Sequence, residues 1–131
     1  MAEFTNFEAI AKIFAQYKRE GILAAEMTPS FALTGRRREV ATLAELNGIA
    51  LVAHRAEWAD AGAVLTYGVH IAESYRRAAA VTSRILRGAK PADIAVERPN
   101  RFELVLNQRS ALALGIALPK ALLQQANRVI A

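Results

Sequence analysis

The 131-residue sequence contains no cysteine. That absence removes disulfides, thiolate zinc sites and cysteine nucleophiles together. Histidine is scarce as well: His54 and His70 are the only two, and they do not stand in the spacing of a metal-binding helix. No Gly-rich loop joins a strand to a helix in dinucleotide or P-loop form. Ser30, Ser74, Ser83 and Ser110 lie in no nucleophile elbow. Glu57 and Asp60 share a segment, but nothing in the pattern brings them onto a substrate. The reading is therefore of a protein without catalysis, metal or cofactor. No run approaches the ~18 apolar residues that a membrane span needs. The opening Met1-Ala2-Glu3-Phe4-Thr5-Asn6 lacks the basic-then-apolar order of a secretory signal, so the chain as written is expected to stay in the cytoplasm if it is a complete gene product.

What is present is a hydrophobic content of 53%, enough for one folded core and too high for disorder. The net charge of +5 raises the question of nucleic acid, which its distribution answers. Through Asp60 seven Lys and Arg meet eight Asp and Glu, whereas from Ala61 onward ten basic residues meet four acidic ones. The excess is scattered over Arg76, Arg77, Arg84, Arg87, Lys90, Arg98 and Arg101 without a reading motif or interleaved exposed aromatics. A solvated face is expected rather than a nucleic-acid interface. Arg36-Arg37-Arg38 opens a helical pattern, where cations oppose the helix dipole; solvent exposure beside Glu39 is the simpler account, an anionic partner the other.

Along the chain, Thr5 to Glu8 has capping-box spacing, and Ile10, Ile13, Phe14 and Tyr17 follow at helical intervals up to Gly21. Ile22 to Ala25 reads as a short strand covered on both faces. A second helix is predicted from about Thr34, with Val40, Leu43 and Leu46 inward, to Asn47-Gly48. Ile49 to Ala53 is a second strand, residues 54–62 a loop, and Ala63 to Tyr67 a third strand. A long helix carries Ile71, Tyr75, Ala78, Thr82 and Ile85 on one stripe. Phe102 to Leu106 is a fourth strand candidate, Asn107 an N-cap for a short helix to Leu114, and Pro119 the start of a last helix with Leu122, Leu123, Ala126, Val129 and Ile130 inward.

This alternation predicts an α/β fold, a partial three-layer α/β/α sandwich around a short, mostly parallel sheet of three or four strands. Ligands of such sheets bind beyond the carboxyl ends of the strands. Those ends hold Thr28 and Phe31, then His54, Glu57 and Trp58, then Tyr67, which combine polar groups with aromatic rings as a small-molecule pocket requires. The competing account of the three rings is that they cap the edge of the core.

Four blocks carry a family resemblance: Gly62 to Gly68, Arg84 to Ile94, Phe102 to Asn107, and Ala113 to Pro119. In this order and spacing they resemble the C-terminal portion of ABC transporter substrate-binding proteins. Members of that family are similar to type I periplasmic binding proteins, in which two α/β lobes joined by three crossovers close on a small solute. The resemblance implies that residues 1–131 form a single partial domain. Residues 1–68 would be part of the second lobe, and 69–131 the hinge, the crossover helix and the C-terminal strand and helices. It departs at Thr28-Pro29, where the family usually has Asp-Asn or Asp-Pro.

From the resemblance follow a solute-binding role in an ABC-type import system, an ABC permease as partner, a periplasmic location, and an amino acid or organic anion as solute. Tyr67-Gly68 would be a hinge, and the stripe from Ile71 to Ile85 would pack on a lobe that these residues do not include. Leaving about four such side chains in water costs on the order of 6 kcal/mol. A homodimer is therefore expected. The alternative is a self-associating cytosolic α/β interaction domain that has lost its ligand.

Overall fold

A computed structural model describes residues 7–131; the predicted capping box at Thr5 falls partly outside them. Helix α1 (Phe7–Arg19) buries Ile10 and Phe14 and ends at Gly21. Strand β1 (Ala24–Met27) follows, two residues later than the apolar run suggests, and Leu23 is left 74% exposed. The helix expected from about Thr34 is α3 (Arg37–Leu46), and a short helix that was not expected, α2 (Phe31–Thr34), precedes it across Gly35-Arg36. Val40 turns inward as expected, but Leu46 faces out at the last turn. Beyond α3, Gly48 takes a positive φ of 72°, which lets the Ile49 amide reach back to the Ala44 carbonyl at 2.9 Å. That left-handed residue closes the helix and turns the chain straight into β2 (Ala50–Ala53).

The segment expected to be a loop instead forms α4 (Ala56–Ala61). Fewer than two turns leave no readable periodicity, and burial of Trp58 and Ala59 supplies the stabilisation that local propensity lacks. After it come β3 (Leu65–Val69), α5 (Ile71–Leu86), a 3₁₀ turn at Pro91–Asp93, β4 (Phe102–Asn107) and α6 (Gln108–Ala113). The last predicted helix is corrected too. Helix α7 covers only Lys120–Gln125, and Arg128–Ile130 forms a fifth strand, β5. Here the open side of β4 outcompetes the helical pattern: the Asn127 amide donates to the Leu104 carbonyl at 2.9 Å, and the Asn127 side-chain oxygen accepts from the Leu104 amide at 2.8 Å.

The strands lie in chain order, β1-β2-β3-β4-β5. All neighbouring pairs are parallel except β3 with β4, whose antiparallel register sets Leu65 opposite Leu106 and Val69 opposite Phe102. The sheet is thus mostly parallel, with one strand more than expected. Pleating along β2 sends Leu51 and Ala53 to one face and Ala50 to the other. The first face carries the main core: Ile10 and Phe14 from α1, Leu33 from α2, Val40, Ala41 and Ala44 from α3, and Trp58 from α4. On the second, Ala50, Val64 and Ala111 pack with Leu114, Ile116 and Leu118.

Two polar ties hold α4 in place. The buried Asn107 side chain donates to the Ala59 carbonyl at 2.9 Å and accepts from the Ser110 amide at 2.9 Å, capping α6 and binding α4 with one residue. On the surface Arg128 forms two hydrogen bonds to the Asp60 carboxylate, at 2.8 and 3.0 Å, which raise its guanidinium above the ordinary value. Helix α5 stands apart. It has no buried residue, and Ile71, Tyr75, Ile85 and Leu86 are exposed, Tyr75 at 72% and Leu86 at 82%. The segment from Pro91 to Pro99 flanks it, forming an open apolar groove crossed by the ion pair of Arg77 with Glu97.

Candidate functional site

Strands β1, β2 and β3 run parallel and end on one side of the sheet, at Met27, Ala53 and Val69. His54, the first residue after β2, stands in the middle of this edge. Its Nδ1 lies 3.2 Å from the Met27 carbonyl, so the ring leans onto the end of β1. Its own carbonyl is pressed against Gly68 of β3, where any Cβ would stand 1.8 Å from the oxygen. One residue therefore joins the three strand ends, with Thr28 exposed on one flank and Tyr67-Gly68 on the other.

The remaining candidates divide. Glu57, in the first turn of α4, forms an ion pair with Arg55, and both side chains remain about one third exposed. Tyr67 is 59% exposed and stacks on Phe102, ring centroids 5.7 Å apart at 18°. Phe31 opens α2 with its ring entirely in solvent. Trp58 goes the other way: α4 carries it into the main core, wholly buried, so in this structure its ring packs rather than faces the strand ends. Its indole N–H has no hydrogen-bond partner there, and neither has the buried Thr66 hydroxyl.

Arg55 is the residue that sequence reasoning passed over. It precedes α4 directly after His54, with its guanidinium on Glu57 and its Nε buried without a partner. The available signal was its position next to a strand end, the edge at which parallel α/β sheets bind their ligands. Of the arginines at 36 to 38, the first two have local partners and Arg38 is exposed. Arg36 pairs with Glu39 at 2.7 Å and lies over the Phe7 ring, and Arg37 donates to the Thr34 carbonyl.

Chemically, this edge offers hydroxyl, imidazole, carboxylate, guanidinium and aromatic surface around a floor of closed backbone. Among the described residues there is no cluster of His, Asp and Glu able to hold a metal ion, and no helix is long and apolar enough to cross a membrane. Such a set can grip a small polar molecule.

Comparison with curated proteins finds no match. Solved structures share the fold. A conserved domain protein from Vibrio cholerae superposes with a TM-score of 0.86 at 18% identity, over 98% of this chain and 43% of that one. The ABC domain from Streptococcus pneumoniae, in complex with L-Trp, gives 0.84 at 19%, over 95% and 42%. A ligand-free, open substrate binding protein with adhesive properties from Clostridium difficile gives 0.69 at 16%, over 97% and 42%. The chain thus spans about two fifths of the length of the structures it matches. Residues 9–130 match the family described as ABC transporter substrate binding protein, and the chain belongs to that family.

Proposed function

We propose that this chain is the C-terminal part of the solute-binding component of an ABC-type import system, which holds a small molecule without altering it chemically. The carrying observation is that the family match coincides with a strand-end edge organised around His54. Parallel α/β sheets take their ligands at that edge. The candidate contacts are Thr28, Phe31, His54, Glu57 and Tyr67, with Trp58 supporting the edge from the core. An amino acid or organic anion suits this mixture of charge and aromatic surface, and the L-Trp complex of a relative favours an amino acid. Residues 1–68 belong on this reading to the second lobe, and 69–131 supply the hinge, the crossover helix and the C-terminal elements. The setting is the periplasm, and the partner is an ABC permease.

Closure of two lobes supplies affinity in such proteins. The test is titration calorimetry of a longer chain that includes the other lobe, against the amino acids and a set of small organic anions. Micromolar or tighter binding of one solute supports the reading, and a panel with no binder overturns it.

The uncovered face of α5 favours a second statement, self-association. Tyr75 and Leu86 lie largely in water, and each large apolar side chain so exposed forgoes about 1.5–3 kcal/mol. A second copy that covers this face makes the chain a homodimer, the state also required by the alternative reading of an interaction domain that has lost its ligand. Light scattering showing only monomer at micromolar concentration counts against both.

A further inference from the structure

His54 has a chemical polarity that its mere presence at the site does not convey. A carbonyl oxygen only accepts hydrogen bonds, so the ring nitrogen 3.2 Å from the Met27 carbonyl has to be the one that carries the proton. The hydrogen bond found for this ring among the described residues is the one at Nδ1, which leaves Nε2 as the nitrogen turned to a solute or to water. The base of the side chain is held in place. The main chain of His54 is fixed on its other side by the close approach to Gly68, and the side chain is half-buried between the two strand ends.

We infer that His54 is a specificity-determining residue whose neutral ring is held as the Nδ1–H tautomer, so that Nε2 offers a lone pair to the solute and selects for an N–H or O–H donor on it. This rests on the solute-binding reading and gives it a direction. While the ring is neutral, a carboxylate or other pure acceptor placed at this nitrogen meets a second acceptor and is disfavoured, because neither group has a proton to share. Any acidic group of the solute is accordingly turned elsewhere on the edge. The group at His54 is an ammonium, amide, indole or hydroxyl hydrogen.

Two measurements test this. In the first, long-range ¹H–¹⁵N spectra of the imidazoles are recorded on the chain itself, in mildly alkaline buffer where imidazole is neutral. The expected result is a protonated Nδ1 and an unprotonated Nε2 for His54. An Nε2–H tautomer overturns the inference whether or not any solute is known. The second uses the longer two-lobe chain and the solute found by the calorimetric screen. His54→Asn places an amide donor where Nδ1–H stands and has nothing at the place of Nε2. It is expected to keep the unfolding midpoint within a few degrees and to weaken binding at least tenfold. Unchanged affinity in that variant overturns the inference. If the screen yields no solute, the solute-binding reading fails, while the tautomer spectrum still decides the polarity of the ring.

Discussion

The His54 carbonyl fills the space that a side chain on Gly68 would need: a Cβ built there falls 1.8 Å from the His54 oxygen and 2.9 Å from its carbonyl carbon. The obstacle is backbone on both sides, so no side chain can swing away to relieve it. Gly68→Ala is expected to cost about 3 kcal/mol or more, at the upper end of overpacking substitutions. Gly35→Ala is the control, since Gly35 has a helical φ of −67° and open space around it, and alanine there should add roughly 0.4–1 kcal/mol. Urea unfolding of the two variants checks the contrast, and equal midpoints would contradict it.

Asn107 serves three partners at once. Its amide donates to the Val64 carbonyl at 2.9 Å, its side chain to Ala59, and its side-chain oxygen accepts from Ser110. Asn107→Ala loses the cap and leaves the Ala59 carbonyl with the Gly62 amide as its remaining donor, for an expected cost of about 1–3 kcal/mol. Asn107→Asp keeps the capping oxygen but sets a carboxylate against that carbonyl, and should be no more stable than alanine. A denaturant series on both variants measures this.

Trp58 is the only tryptophan of the chain and reports on its own burial. Its fluorescence should be blue-shifted and poorly quenched by iodide, and a solute bound at the strand ends should leave it nearly unchanged. Trp58→Ala is expected to cost about 3–5 kcal/mol. Trp58→Phe should cost much less, because the unpartnered indole N–H leaves with the ring. Strong quenching by the solute would place the ring in the site after all.

The bond pair between Asp60 and Arg128 crosses from α4 to β5 but stands half in solvent. Its loss in Asp60→Asn is expected to cost only about 0–1 kcal/mol, less still at high salt. A thermal shift of many degrees would contradict this.

The face of α5 gives a further expectation. Replacing Tyr75 and Leu86 together with glutamate should shift any oligomer seen by light scattering to monomer and leave the circular dichroism of the sheet unchanged. Persistence of the oligomer would locate self-association elsewhere.

Legibility in the sequence followed length and locality. Helix α5 was readable because its long stripe repeats over four turns; the structure adds His70 as a cap that accepts from the Glu73 amide. The interior strand β2 was readable as an unbroken apolar run. Helix α4 was not, since its six residues owe their shape to Trp58 fitting against α3 rather than to any repeat. The end of the chain misled for the converse reason. Leu122 to Ile130 does repeat at helical spacing, yet Asn127 finds both bonding groups of Leu104 on β4, a partner far off in sequence. At the strand ends, the position of His54 could be read from the order of elements. The sharing of its carbonyl space with Gly68 depends on the register of two strands, which no local pattern encodes.

With Val69 set opposite Phe102 and the His70 amide donating to the Arg101 carbonyl at 3.0 Å, β3 and β4 form the stem of a hairpin whose loop happens to contain a sixteen-residue helix. The stem closes the loop at its base, so α5 is joined to the sheet through these two strands. From Tyr67 to Val69 and from Phe102 to Leu104 the ladder lies beyond the registers of β2 and β5, a two-stranded neck at the edge of the sheet. The edge around His54 borders that neck through Gly68, so a change in the posture of α5 reaches it within one residue of backbone.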